Sequence, residues 1–298
     1  MTSPGRAPAA SFGAAGLVVG GLVCQEVGAG LAVTLFPQVG ALGMVTIRLV
    51  FSAVILLLVF RPSLRSRTRA DWLSVLAFGV VLAALNGLFY LALTRLPLGA
   101  TVTIEYLGPL ILSVVVSRRA SAWLWAVLAL AGVALLGRGG FDHLDPLGVL
   151  FALAAGLMWV CYILLSARVG GRFERLDGLA IAMAAGALVT IPFGIATAGV
   201  ALVRPGVLLV GFAIAVLSST IPYALELVAL RRLPAATFSI LLSVAPALAA
   251  LAGLVILHQQ LEVLDAVAIA CVVVASMGAV RASTRRRPPG GAPAEPTP

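Results

Sequence analysis

The chain has 298 residues, 61% of them hydrophobic and 10% charged, with a net charge of +9 and a mean hydropathy of +1.13. Soluble domains are about 45–50% apolar and about 25% charged, so this composition excludes an ordinary water-soluble fold and points to a polytopic membrane protein. A membrane helix needs about 20 residues, and the length allows roughly ten of them.

Apolar runs of spanning length fall at 12–33, 41–60, 72–94, 98–116, 121–137, 146–167, 178–197, 206–230, 235–256 and 262–281. They predict an all-α polytopic membrane protein with ten transmembrane helices. The first run is longer than a signal-peptide core of roughly 7–15 residues and lacks an A-x-A-like exit, so it reads as a retained span. It carries CQEVGAG (Cys24–Gly30), where Glu26 either lines a cavity or bonds across a small-residue interface. The second run carries Arg48, which either pairs with a glutamate or snorkels to the surface. In the third, Phe89 and Tyr90, with Asn86 one turn earlier, are candidate cavity residues.

The fourth run holds TVTIEYLGPL (Thr101–Leu110). A charge at a helix centre costs about 2.5–3.5 kcal/mol on insertion scales, so Glu105 demands an explanation. Pro109 cannot donate to the Glu105 carbonyl, so a carboxylate, a kink and a free carbonyl coincide. That combination suits a cation or ammonium; the bland reading is a protonated carboxyl that locks packing. Trp72, Trp123, Trp125 and Trp159 read as interfacial anchors. The eighth run repeats the fourth's theme: in SSTIPY (Ser218–Tyr223), Pro222 frees the Ser218 carbonyl, and Tyr223 and Glu226 are polar candidates. The tail RRRPPGGAPAEPTP, residues 285–298, is expected to be disordered.

All basic residues are arginine, and they cluster between the apolar runs, which fits membrane orientation better than nucleic acid. With the N-terminus in the cytoplasm, sixteen arginines fall inside and three (Arg95, Arg138 and Arg204) outside, while Arg48 lies within a span. The positive-inside rule therefore places both termini in the cytoplasm. A repeat is also visible. ALTRLP (Ala92–Pro97) returns as ALRRLP (Ala229–Pro234), and the same shift of 137 carries Pro109 onto Pro246 and Asn86 onto Tyr223. Halves of five spans each must enter the membrane from opposite sides, the inverted arrangement of secondary transporters that bind substrate near the midplane. The expected units are 1–137, 138–284 and the cytoplasmic tail 285–298.

Cys24, Cys161 and Cys271 have no motif spacing, and His143 and His258 fall in predicted outer loops, so neither a disulfide framework nor a metal site is expected. There is no Walker A, HExxH or nucleophile elbow, and no enzyme activity, cofactor or nucleic-acid partner is expected.

Three stretches, LFPQVGALGMVTIRLVFSAVILLLVFRP (35–62), NGLFYLALTRLPLGATVTIEYLGPLILSVVVSRR (86–119) and LSSTIPYALELVALRRLPAATFSILLSVAPALAALAG (217–253), resemble the EamA-type branch of the drug/metabolite transporter superfamily, most closely its threonine/homoserine exporter group. The resemblance implies ten helices in two inverted repeats, a central cavity and export of amino acids or related metabolites across the bacterial cytoplasmic membrane. Two departures stand out. Val244-Ala245-Pro246 replaces the Leu-Glu-Pro usual in such proteins, and His258-Gln259 replaces a frequent Gly-Glu. Glu26 stands where Gln is common. The expected protein is an alternating-access exporter whose substrate or coupling site uses Glu26, Arg48, Asn86, Glu105, Tyr223 and Glu226, with helix breaks at Pro109, Pro222 and Pro246. A drug or other metabolite exporter and a non-transporting membrane scaffold or sensor are the alternatives, and a homodimer is left open.

Overall fold

The computed structural model describes residues 7–64, 67–117, 120–136, 144–173, 176–230, 232–233 and 235–284, with backbone alone for 7–12, 117, 120–122, 223–224, 226–227, 230, 235–236 and 282–284. Among the described residues every regular element is a helix. Seven helices are long and apolar enough to cross a membrane: Gly13–Phe60, Arg69–Leu93, Leu98–Val116, Pro146–Gly170, Asp177–Val203, Thr237–Leu257 and Val263–Arg281. Trp123–Leu136 and Pro205–Thr220 are shorter apolar helices.

The first two expected spans lie on one element, α1 (Ala7–Phe60), kinked at Gly40 with φ 66° and ψ 170°. That backbone region is essentially open to glycine alone. Pro37, one turn earlier, also lacks the donor a continuous helix needs. Helix α2 (Arg69–Leu93) starts with a reciprocal cap, in which Thr68 and Asp71 satisfy each other's backbone N–H groups.

Three expected spans are broken at the prolines. The fourth divides into α3 (Leu98–Glu105) and α4 (Leu107–Ser117). Helices α5 (Ala120–Leu136), α6 (Pro146–Gly170) and α7 (Asp177–Ala198) follow, and a 3-10 turn extends α7 to Val203. The eighth span is α8 (Pro205–Ala215), a π-turn over Val216–Thr220, and α9 (Ile221–Leu230). The ninth is α10 (Ala235–Leu242) and α11 (Ala245–Leu257), and α12 (Val263–Thr284) closes the chain. The bounds of α10 are those of α3 shifted by 137, so the sequence repeat is also a repeat of helix breaks.

Small residues set the helix crossings, as expected where lipid offers no hydrophobic drive between helices. A Cβ on Gly79 of α2 would lie 2.7 Å from the Ala182 carbonyl of α7, and one on Gly132 of α5 would lie 2.7 Å from the Ala268 carbonyl of α12. The core runs along α1 through Val18, Met44, Val45 and Leu49 to Leu82, Met183 and Ile214. Leu58, Leu124, Leu188, Leu209 and Val255 point outward and exposed, which suits a lipid-facing surface.

Polar contacts gather at the helix ends. Arg95, after α2, pairs with Asp145, the N-cap of α6, at 2.6 Å. That hydrogen bond holds the Asp145 carboxyl below the usual carboxylate range. At the opposite ends of α2 and α6, Arg172 pairs with Asp71 at 3.2 Å, and Arg67 donates to the Arg172 carbonyl and lies over Phe173. Loops assigned by arginine count to the same side thus meet each other.

Candidate functional site

A cavity of about 730 Å³ lies among α1, α2, α3, α4, α6, α10 and α12. One stripe of α1 borders it: Leu22, Gln25, Glu26 and Ala29, at the i, i+3, i+4, i+7 spacing of one helix face. Arg48, Asn86 and Glu105 also line it. Glu26 is 3% exposed and Glu105 8%, so two carboxylates share a largely dehydrated wall. Among the described residues neither forms an ion pair at contact distance. Arg48 lines the same cavity as both carboxylates. In a wall of low polarity charges interact more strongly than in water.

The three proline breaks expose three carbonyls, and each has a distinct fate. Pro222 leaves the Ser218 carbonyl without its helical donor, and Arg48 Nη2 donates to it at 3.1 Å. The same guanidinium donates from Nη1 to the Tyr90 hydroxyl at 3.2 Å and from Nε to Ser219 Oγ at 3.4 Å. Arg48 therefore holds the π-turn against α1 and α2 and does not snorkel outward. Pro246 leaves the Leu242 carbonyl, which the Tyr106 hydroxyl takes at 3.0 Å. Pro109 leaves the Glu105 carbonyl, and here the sequence reading needs correction. A Cβ on Gly156 would lie 2.7 Å from that oxygen, and one on Gly108 would run into the Gly156 carbonyl. The freed carbonyl is packed against the α6 backbone, so it does not combine with the carboxylate into one cation site.

The remaining expected residues fall as follows. Asn86 lines the cavity while its Nδ2 donates to the Leu82 carbonyl at 2.8 Å. Pro222 is buried, and α1 packs on it at Gly21. Tyr223 and Glu226 lie in α9, with side chains outside the described part of the structure. Ala245 and Pro246 are buried at the start of α11, where a carboxylate at 245 would have lain. The Gly-Glu replacement is legible as well. His258 caps α11 in the left-handed region at φ 53°, and Gln259 Oε1 accepts from the Leu98 N–H, the first residue of α3, at 3.1 Å.

Sequence reasoning missed several lining residues. Gln25 was visible as part of the stripe beginning at Leu22. Trp159 reads as an anchor by type, yet it lines the cavity and meets Tyr106 edge-on, with ring centroids 4.7 Å apart. Tyr162 and Phe238 add further rings, alongside Phe89, which the sequence offered as a cavity residue. Among the described residues no group of His, Cys, Asp and Glu could hold a metal.

A multi-helix apolar body around one charged, buried cavity is the architecture of a membrane transport protein. The chain belongs to the EamA-like transporter family. The family profile matches residues 146–281. Threonine/homoserine exporter RhtA of Escherichia coli (strain K12) is 40% identical over 253 residues, 84% of this chain and 85% of that protein. RhtA of Salmonella typhimurium (strain SL1344) is 39% identical over 263 residues, 88% of each chain. A solved crystal structure, 20% identical, aligns with 92% of this chain and 98% of its own at a TM-score of 0.61, which speaks for the fold alone. The protein is thus a multi-pass membrane transporter and not an enzyme.

Proposed function

We propose that this chain exports small amino acids of the threonine or homoserine kind, or related metabolites, across the bacterial cytoplasmic membrane by alternating access. The observation that carries this reading is the pairing of charges around one cavity. Arg48 faces a substrate carboxylate, and Glu105, with Glu26 beside it, faces the ammonium. A zwitterion presents both signs at once to a cavity wall of low polarity. The relatives named as threonine/homoserine exporters support the same substrate class.

In this reading the chain is ten spans in two inverted halves, 1–137 and 138–284, with a disordered tail at 285–298 and both termini in the cytoplasm. Support comes from the shared bounds of α3 and α10 and from the arginine count. Asn86, Tyr223 and Glu226 complete the substrate site, and Glu105 or Glu26 carries any coupling proton.

One observation favours a second reading, an exporter of larger amphiphilic metabolites or drugs. Five aromatic residues, Phe89, Tyr106, Trp159, Tyr162 and Phe238, line the cavity, against two carboxylates with described side chains. Counterflow in proteoliposomes with a labelled amino-acid panel separates the two readings. Wild type is expected to exchange threonine or homoserine, and Glu105→Gln, inserted normally, to lose at least about tenfold of that flux, or about 1.4 kcal/mol. Undiminished flux in the variant removes Glu105 from the site. No exchange of any amino acid by wild type favours the second reading.

A further inference from the structure

A serine or threonine hydroxyl within a membrane helix ordinarily bonds a carbonyl one turn back, as Thr101 and Thr103 do along α3. The serines that line the cavity divide on this point. Ser166, Ser218 and Ser243 donate to the carbonyls of Ile163, Ile214 and Ser239, each one turn back. The hydroxyls of Ser113, Ser239 and Ser276 line the same cavity and have no hydrogen-bond partner among the described residues. Ser276 is the sharpest case, since it is 7% exposed and a buried hydroxyl is seldom left unpaired.

These three serines stand on three different helices, α4, α10 and α12, and α12 packs against both of the others. Each belongs to the stripe its helix turns to the cavity. Ser276 shares that stripe with Ala279 and Val280, and Ser113 lies one turn after Pro109. The charges stand elsewhere: Glu26 and Arg48 on α1, and Glu105 at the end of α3. Among the described residues α4, α10 and α12 bring no ionisable side chain to the cavity. A zwitterion held by Arg48 and a glutamate therefore has its side chain left for the neutral remainder of the wall, where these free hydroxyls are.

We propose that Ser113, Ser239 and Ser276 form the subsite for the substrate's side chain, and that it selects a neutral side chain carrying a hydroxyl over an apolar one of the same size. A site that bonds a substrate hydroxyl rejects the analogue lacking it, because the site's own polar groups are then left unpaired. A charged side chain gains nothing there, since it is stripped of water and meets no counter-charge. Hydroxyls on three helices can meet one on the β-carbon of the substrate, as in threonine, or one carbon further out, as in homoserine. Ser276 Oγ is covered in this arrangement, and with no bond to hold it, rotation about Cα–Cβ brings it to the ligand. This inference rests on the amino-acid reading above and adds the basis of choice among amino acids.

The test is counterflow by the full chain in proteoliposomes with two isosteric pairs, threonine with valine and homoserine with norvaline. Each pair differs only by a hydroxyl in place of a methyl. Wild type is expected to exchange the hydroxylated member faster by about tenfold or more. Ser113→Ala, Ser239→Ala and Ser276→Ala combined should bring both ratios close to one, through loss on the hydroxylated members. A packing defect does not give that result, because it slows both members of a pair alike. If the combined variant does not insert, Ser239→Ala alone should lower the threonine-to-valine ratio several-fold, and Ser239→Thr, which keeps the hydroxyl, should retain it. A wild type indifferent to the hydroxyl, or a variant whose preference is intact, overturns the subsite and leaves amino-acid export standing. A wild type that exchanges none of the four removes the export reading, and the subsite with it.

Discussion

At Arg48, donors on one guanidinium reach a carbonyl, a phenol and a hydroxyl on two other elements. A lysine has a single point of charge and cannot reproduce that fork. Arg48→Lys should leave the Ser218 carbonyl unpaired in a dry wall, at about 1–3 kcal/mol. Thermal melting in detergent and counterflow should both fall, and a variant with unchanged melting and flux sinks the bridging role. Gly156 is the second telling residue. Its missing side chain admits the Glu105 carbonyl, and an added methyl there meets the backbone of Glu105 and Gly108, which cannot yield as a flexible side chain can. Gly156→Ala should cost about 1–3 kcal/mol, read as a lowered melting temperature together with lost flux. Glu105 and Arg48 stood out in the sequence because ionisable residues in apolar runs are rare. Gly156 did not, because a glycine in a membrane helix is common and only its neighbour gives it meaning.

At the level of elements, proline and glycine mark where helices fail, but they do not say what takes up the exposed groups. Pro109, Pro222 and Pro246 each break a span, as the sequence implied. Three different partners, an α6 backbone, an arginine and a tyrosine, answer them, and none is near in sequence. The kink at Gly40 was not foreseen as a single merged helix with a glycine-only joint. Gly40→Ala forces a side chain into that region at about 1–3 kcal/mol. The expected outcome is a lower melting temperature with the cavity's binding preserved, since Gly40 does not line it. A variant as stable as wild type would show that α1 can pass this point in another conformation. The π-turn before Pro222 also escaped the sequence, because a π-turn has no composition of its own and follows from what packs against it.

Across the whole molecule, the arginine count makes a statement about sides. Cysteines introduced singly at position 67 and position 95, labelled by an impermeant maleimide in intact cells, should react only at 95. Labelling at 67 alone would invert the assigned orientation. The contacts between Arg67 and Arg172, and between Arg95 and Asp145, already group these loops into two opposed ends. A reagent need only decide which end faces out.

By itself the sequence determined the class, the helical architecture, the break positions and the presence of costly charges in the membrane. Each of these is written in local composition: apolar length, proline and the rarity of glutamate. The tertiary structure decided what the charges face, since a cavity is made by helices distant in the chain. It placed Trp159 in that cavity, turned Gln25 toward it beside Glu26, and hid the Glu105 carbonyl behind Gly156. It also packed α3 on α11, where Gly99 meets Ala250, a contact between distant residues that no single stretch of sequence contains.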